Sequence, residues 1–557
     1  MLTQSHTSNK EGTHFAGQRK KPAKIISLFL LTTILSMLLL PCANVFAAAI
    51  GVTDDGTNIV IDTKAGLVYK IKKSNGDMTS CKLNGTELNG SKKASHIGSG
   101  LGSGTKVSWT TSPSGATVVI TCETSTLTHY YASRQGDNTI YMATYASAEP
   151  SVGELRYIFR GNGSVLTNVP ANSSIRGNTG AIESEDVFKL SNGNTVSKYY
   201  GNDMAKDLSI RGATGNNVGV FMAYGSRETS SGGPFQRDIQ FQSGTDTEIY
   251  NYMNSGHAQT EEWRTGLFGP YALCFTTGAT PGVPDFSWMS SLGLKGWVSS
   301  RGKVVLNGLK GMDSGYDYTI GFANSTAQYW TSADSAGRAV CADMKPGTYT
   351  MTVYKKELGV YTESVTVNAG NVTTLNTRTI SNDPATTSTI WRIGSWDGTP
   401  LEFLNGQTLT IRHPSDPRNA SWGPVTYAVG SATNKFPAVQ FRGLNSPTKI
   451  TFSLNSTQAA SAHTLNIGIT TAYISARPDI VVNGHTFRAQ GASSQPNTRT
   501  ITLGTYRGNN QTYSWNIPAS YFVTGTNEIT VSPISGSSDS NAYLSAAYVY
   551  DCVELVN

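Results

Sequence analysis

The stretch ELRYIFR (154–160) decides the fold class. Read as a strand, it puts Leu155, Tyr157 and Phe159 on one face and Arg156, Ile158 and Arg160 on the other, because side chains alternate along a strand. The same period of two recurs around it, at Asn58–Thr63, Leu67–Ile71, Thr117–Cys122, Thr139–Tyr145 and Val218–Tyr224. Turn signals separate these runs, among them Asn75-Gly76, Asn84-Gly85, Asn89-Gly90 and Asn192-Gly193. No long stretch with a period of 3.6 follows residue 47. Composition agrees, with 57 glycines, 26 tyrosines and only 14% charged residues. An all-β protein is expected.

Residues 1–47 read as an export signal. Arg19, Lys20, Lys21 and Lys24 precede the apolar run Ile25–Leu40, and Val45-Phe46-Ala47 offers a small residue for cleavage after Ala47. The apolar run is short for a membrane span of ~20 residues. A secreted chain with no membrane attachment after signal removal is expected. The signal holds five of the lysines and arginines and one acid, so the remainder carries +2 of the formal +6. That leaves no global basic field to suit nucleic acid.

The remaining ~510 residues suggest several domains. Residues 48–289 suit a large β-sandwich, the expected catalytic domain. Residues 290–380 fit a small fibronectin type III-like sandwich, and 381–557 a jelly roll. The polar stretch Ser381–Ser388 reads as the connection. Five cysteines follow the signal: Cys81, Cys122, Cys274, Cys341 and Cys552. The odd number leaves one thiol unpaired within a monomer. Cys81 and Cys122, on strands read as neighbours, are the candidate disulfide; five buried thiols are the alternative. No cysteine–histidine cluster suggests zinc.

Chemistry gathers between Ser151 and Glu262. Arg156 and Arg160 share a strand face about 13 Å apart, at ~3.3 Å per residue, a spacing that suits neighbouring sugars better than one carboxylate. Tyr250 and Tyr252 share another face, where rings can stack on sugar C–H groups. His257 follows in the loop Asn254-Ser255-Gly256-His257, a position for a general acid. Lys198 lies in Ser197-Lys198-Tyr199-Tyr200 and can take a proton. Taken singly, each has an ordinary structural reading; together they suit a lyase acting on an acidic sugar polymer. Glu183, Glu185, Asp186 and Glu261-Glu262 offer acids for a hydrolase pair instead.

The chain resembles the rhamnogalacturonan lyases of polysaccharide lyase family 4. The resemblance lies in YYASRQGDNTIYMATYASAEPSVGELRYIFR (130–160), SKYY (197–200), YNYMNSGH (250–257), WRIGSWDGTPLEFLNG (391–406) and HPSDPRNASWGP (413–424). It implies Lys198 as base and His257 as acid, with Arg156, Arg160, Tyr250 and Tyr252 binding substrate. It implies a carbohydrate-module-like third domain and the rhamnogalacturonan I backbone of pectin as substrate. It further implies an internal cut of the rhamnose-(1→4)-galacturonate bond that leaves a 4,5-unsaturated galacturonate. A monomer without cofactor is expected, with a structural calcium ion left open.

This chemistry sets physical demands. Removing the C5 proton of a uronate builds charge on its carboxylate, so a cation there favours the transition state. A lysine base must be neutral. From a reference pKa of ~10.4 that requires a drop of about 3 units, worth about 4 kcal/mol. Two other classes remain on sequence alone: a non-catalytic extracellular glycan-binding protein and a glycoside hydrolase acting on pectin.

Overall fold

A computed structural model describes residues 49–557, apart from 184, 258, 497–499 and 539–541. The export signal expected over 1–47 lies outside the described residues. Among the described residues, no helix is long and apolar enough to cross a membrane.

The chain is all-β, as the alternation predicts. The first region opens with a five-stranded meander from Gly51–Asp54 to Thr86–Glu87. A seven-stranded antiparallel sheet runs from Ile210–Gly215 at one edge, through Gly266–Thr276 and Thr139–Ala146, to Lys106–Thr111 at the other. Residues of these sheets and of the strand Glu154–Gly161 meet in one core, which includes Ile59, Tyr131, Tyr157, Phe159 and Phe275. The middle region forms three small sheets, of three, two and four strands, around Val304, Ile320, Met351 and Val353. The last pairs two five-stranded sheets around Trp391, Phe441, Ile467 and Tyr550.

Five strands position the site. They are β1 (Glu154–Gly161), β2 (Asn178–Glu183), β3 (Val187–Leu190), β4 (Thr195–Ser197) and β5 (Thr247–Ser255). β1 and β5 are antiparallel neighbours, with Arg156 opposite Tyr252, Ile158 opposite Tyr250 and Arg160 opposite Glu248. The expected division of β1 holds. Leu155, Tyr157 and Phe159 are fully buried in the core, and Arg156 and Arg160 lie on the other face. Burial of three large apolar side chains fixes this register, since a slip of one residue would send the arginines into the core. β2, β3 and β4 form a separate small sheet in that order.

The expected Cys81–Cys122 disulfide is not present; both thiols are free. Cys81 sits in Met78–Leu83 of the five-stranded meander, opposite Tyr69. Cys122 sits in Thr117–Glu123 of the seven-stranded sheet, opposite His129. The two strands belong to different sheets, so the neighbourhood that would pair them does not exist. Each thiol fills core volume, and burial pushes the Cys122 thiol up to about 12. Cys274, Cys341 and Cys552 are also free and buried.

Candidate active site

The outer faces of β1 and β5 form the floor. Ile158, Tyr250 and Tyr252 join Val187 from β3, Tyr199 and Tyr200 after β4, Ile239, and Leu503 from the last region in one buried cluster. The rings of Tyr250 and Tyr252 stack with centroids 5.7 Å apart, the shared face that a two-residue spacing dictates. The structure thus brings β1, β4 and β5 to one place from three stretches of sequence.

His257 stands just past the end of β5. Its Nδ1 lies 3.0 Å from Oδ1 of Asp238, and its Nε2 lies 3.3 Å from Oε1 of Glu154. Ser255 donates its hydroxyl to the other oxygen of Asp238, which holds that carboxylate in place. Burial works against charge on the imidazole. The carboxylates of Asp238 and Glu154 outweigh burial and push its pKa up to about 10. His257 is therefore an imidazolium at neutral pH.

Arg156 shares Glu154 with His257 in an ion pair. It also donates to the Tyr252 hydroxyl and lies over the Tyr252 ring, 5.4 Å from its centroid. Its side chain is 28% exposed. Arg160, at 13% exposure, is tied instead to Glu248, which also accepts from the Tyr250 hydroxyl. The two arginines thus belong to two separate polar units. Arg156 is the one beside His257.

Lys198 follows β4 directly. β3 and β4 pair with Val187 opposite Ser197, so the next residues outward, Asp186 and Lys198, meet across the hairpin. Lys198 Nζ lies 2.8 Å from Asp186 Oδ1, and the lysine side chain is 21% exposed. Tyr199 links the lysine to the histidine. Its ring packs edge-on against His257 with centroids 5.4 Å apart. Burial raises the Tyr199 pKa, and the carboxylates of both Asp238 and Asp186 raise it further. One phenol therefore feels the carboxylate partner of His257 and that of Lys198. A second link is Asn202, whose side-chain amide donates to the carbonyl of Lys198 at 2.9 Å and to that of Asp238 at 2.8 Å.

Of the six site residues expected from the sequence, Arg156, Tyr250, Tyr252 and His257 meet around β1 and β5, Arg160 pairs with Glu248 further along β1, and Lys198 pairs with Asp186 at the end of the β3–β4 hairpin. The groups that the sequence reading did not single out are Glu154, Asp238, Tyr199, Asn202 and Glu248. Glu154 lies within the quoted strand, two residues from Arg156 on the same face, and that spacing was the available signal. Asp238 carries no such mark. Of the acids offered for a hydrolase pair, Asp186 pairs with Lys198, Glu183 with His413 at 3.4 Å and Glu261 with Arg264 at 2.6 Å. Among the described residues no group of three or more His, Cys, Asp or Glu is set to hold a metal ion.

Three family profiles match along the chain. Residues 50–296 match the N-terminal region of rhamnogalacturonan lyase B, residues 300–375 match domain II of polysaccharide lyase family 4, and residues 389–555 match its domain III. A rhamnogalacturonate lyase A from Emericella nidulans is 44% identical over 521 residues, covering 92% of this chain and 97% of that protein. The rhamnogalacturonate lyase A of Aspergillus aculeatus is 43% identical with the same coverage. A putative rhamnogalacturonase of Neurospora crassa is 41% identical over 522 residues, covering 91% of this chain and 96% of its own.

Proposed function

The chain belongs to polysaccharide lyase family 4, and on that premise we propose that it is a secreted rhamnogalacturonan endolyase. It cuts the rhamnose-(1→4)-galacturonate bond of pectin rhamnogalacturonan I by β-elimination. Similarity to proteins named rhamnogalacturonate lyase over more than nine-tenths of the chain supports the substrate class. The observation that carries the chemistry is His257, an imidazolium clasped by Asp238 and Glu154, packed on the tyrosine next to Lys198.

The steps follow from the side chains. The galacturonate carboxylate lies against Arg156, which steadies the charge that grows as C5 loses its proton. Lys198, once free of Asp186, takes that proton. The C5–H electrons form the C4=C5 double bond as the C4–O bond breaks. His257 gives a proton to the departing glycosidic oxygen, which becomes the hydroxyl of the rhamnose reducing end. The Nε2 contact to Glu154 is the longer of the two at the ring, so that proton is the one free to move. Tyr250 and Tyr252 offer their stacked rings to the sugar faces. Arg160 contacts a sugar further along the groove.

Digestion of rhamnogalacturonan I with mass detection tests this reading. The expected fragments carry an unsaturated end and weigh one water less than hydrolysis products. Saturated ends would make the protein a hydrolase, and an intact polymer would make it a binder. The third region's capacity to hold sugar is a separate matter from this cut. The protein works as a monomer in this account and needs no cofactor.

A further inference from the structure

The last region of the chain grips both flanks of Lys198. Before the lysine, Thr195 in β4 gives its backbone N–H and its hydroxyl to the same oxygen of Asp416, each at 2.7 Å. The Thr195 hydroxyl in turn accepts the backbone N–H of His413 at 3.1 Å. After the lysine, the Tyr200 hydroxyl donates to the carbonyl of Thr502 at 2.9 Å, and the Gly201 N–H donates to the carbonyl of Thr410 at 3.0 Å. Gly504 has a φ of +93°, and a Cβ there would stand 2.7 Å from the Tyr200 ring, so the two regions meet without room for a side chain.

β4 is three residues long and belongs to a small sheet of its own, not to the large sandwich. The three strands of that sheet are short and leave little area of their own to hold it in water. A base must sit within hydrogen-bond reach of the proton it takes, and a misplacement of about 1 Å can lower a rate by about a hundredfold.

We infer that the third domain is a working part of the active site, and that Thr195, held by Asp416 and His413, is a positioning residue for the Lys198 amine. This rests on the reading of Lys198 as the base. Thr195 does not touch the sugar; it sets where the lysine stands.

The test compares Thr195→Val and Thr195→Ser in the full-length chain, with Lys198→Ala alongside. Valine keeps the shape and strand preference but loses the hydroxyl; serine keeps the hydroxyl. The expected result is a kcat at least tenfold lower for Thr195→Val, with KM within about twofold, and near-normal kcat for Thr195→Ser. A purely structural role would lower the melting temperature of Thr195→Val and leave kcat of the folded enzyme intact. Unchanged kcat in Thr195→Val, or equal losses in both variants, overturns the inference while leaving the base in place. An active Lys198→Ala instead removes the reading beneath it, and the inference falls with it. If Thr195→Val does not fold, Tyr200→Phe is read in its place. It keeps the ring and loses the bond to Thr502, and a kcat equal to the parent overturns the inference.

Discussion

Nδ1 of His257 lies 3.0 Å from Oδ1 of Asp238, and this contact leads the forces that keep the ring charged against its burial. An acid works in its protonated form, so activity is lost as pH rises through its pKa. With the imidazole pushed up to about 10, the alkaline limb of kcat/KM falls near that pH. Asp238→Asn removes the charge that does most to raise the imidazole and lets its pKa move back toward 6.5. The alkaline limb of the variant is expected at least one pH unit lower. A limb in its original place would show that another group supplies the proton.

Asn202 is expected to matter to rate and stability together. One amide holds the carbonyls of Lys198 and Asp238, so it ties the stretch that carries the base to the stretch that orients the acid. Asn202→Ala leaves two carbonyls without this donor and is expected to cost about 1–3 kcal/mol. Its kcat is expected to fall about tenfold or more with little change in KM. Denaturant melts and steady-state kinetics on the same preparation check both. Wild-type kcat in a destabilised variant would confine Asn202 to a structural role.

The buried pair Lys355–Asp383 lies where the middle region meets the last. Lys355 Nζ stands 2.7 and 2.5 Å from the two carboxylate oxygens, and its side chain is only 1% exposed. Asp383 also caps the short turn of helix Pro384–Thr386 by accepting from Ala385 N–H. Asp383→Ala strands a buried ammonium and is expected to destabilise by about 3–5 kcal/mol. Lys355→Met with Asp383→Leu is expected to recover part of this, because no lone charge remains. Equal stability of Asp383→Ala and the parent, measured by urea unfolding, would contradict the account.

The thiols give a simpler check. Cys81, Cys122, Cys274, Cys341 and Cys552 are free and buried. Thiol titration of the unfolded, unreduced protein without residues 1–47, which hold Cys42, is expected to find these five, while the folded protein reacts slowly. Its melting temperature is expected not to change with reductant. A drop on reduction would point to a disulfide.

The strand faces were legible because burial writes itself into alternation. Leu155, Tyr157 and Phe159 could face only a core, and that put Arg156 and Arg160 together. The stacked pair Tyr250 and Tyr252 followed in the same way. Partners fixed by tertiary packing were not legible. Asp238 meets His257 across a loop, and Thr195 meets Asp416 across 221 residues. No local pattern encodes either approach. The cysteine pairing failed for a related reason: alternation tells which face a residue takes, not which sheet its strand joins. Cys81 and Cys122 face one core from two sheets.

The most direct measurement is the ultraviolet absorbance of unsaturated uronate released from rhamnogalacturonan I by folded Lys198→Ala and its parent. The parent is expected to build this signal steadily, and the variant to lose about 10²–10⁴-fold of the rate, the usual contribution of a general base. Unsaturated product formed at the parent's rate by the variant would contradict the assignment of the C5 proton to Lys198.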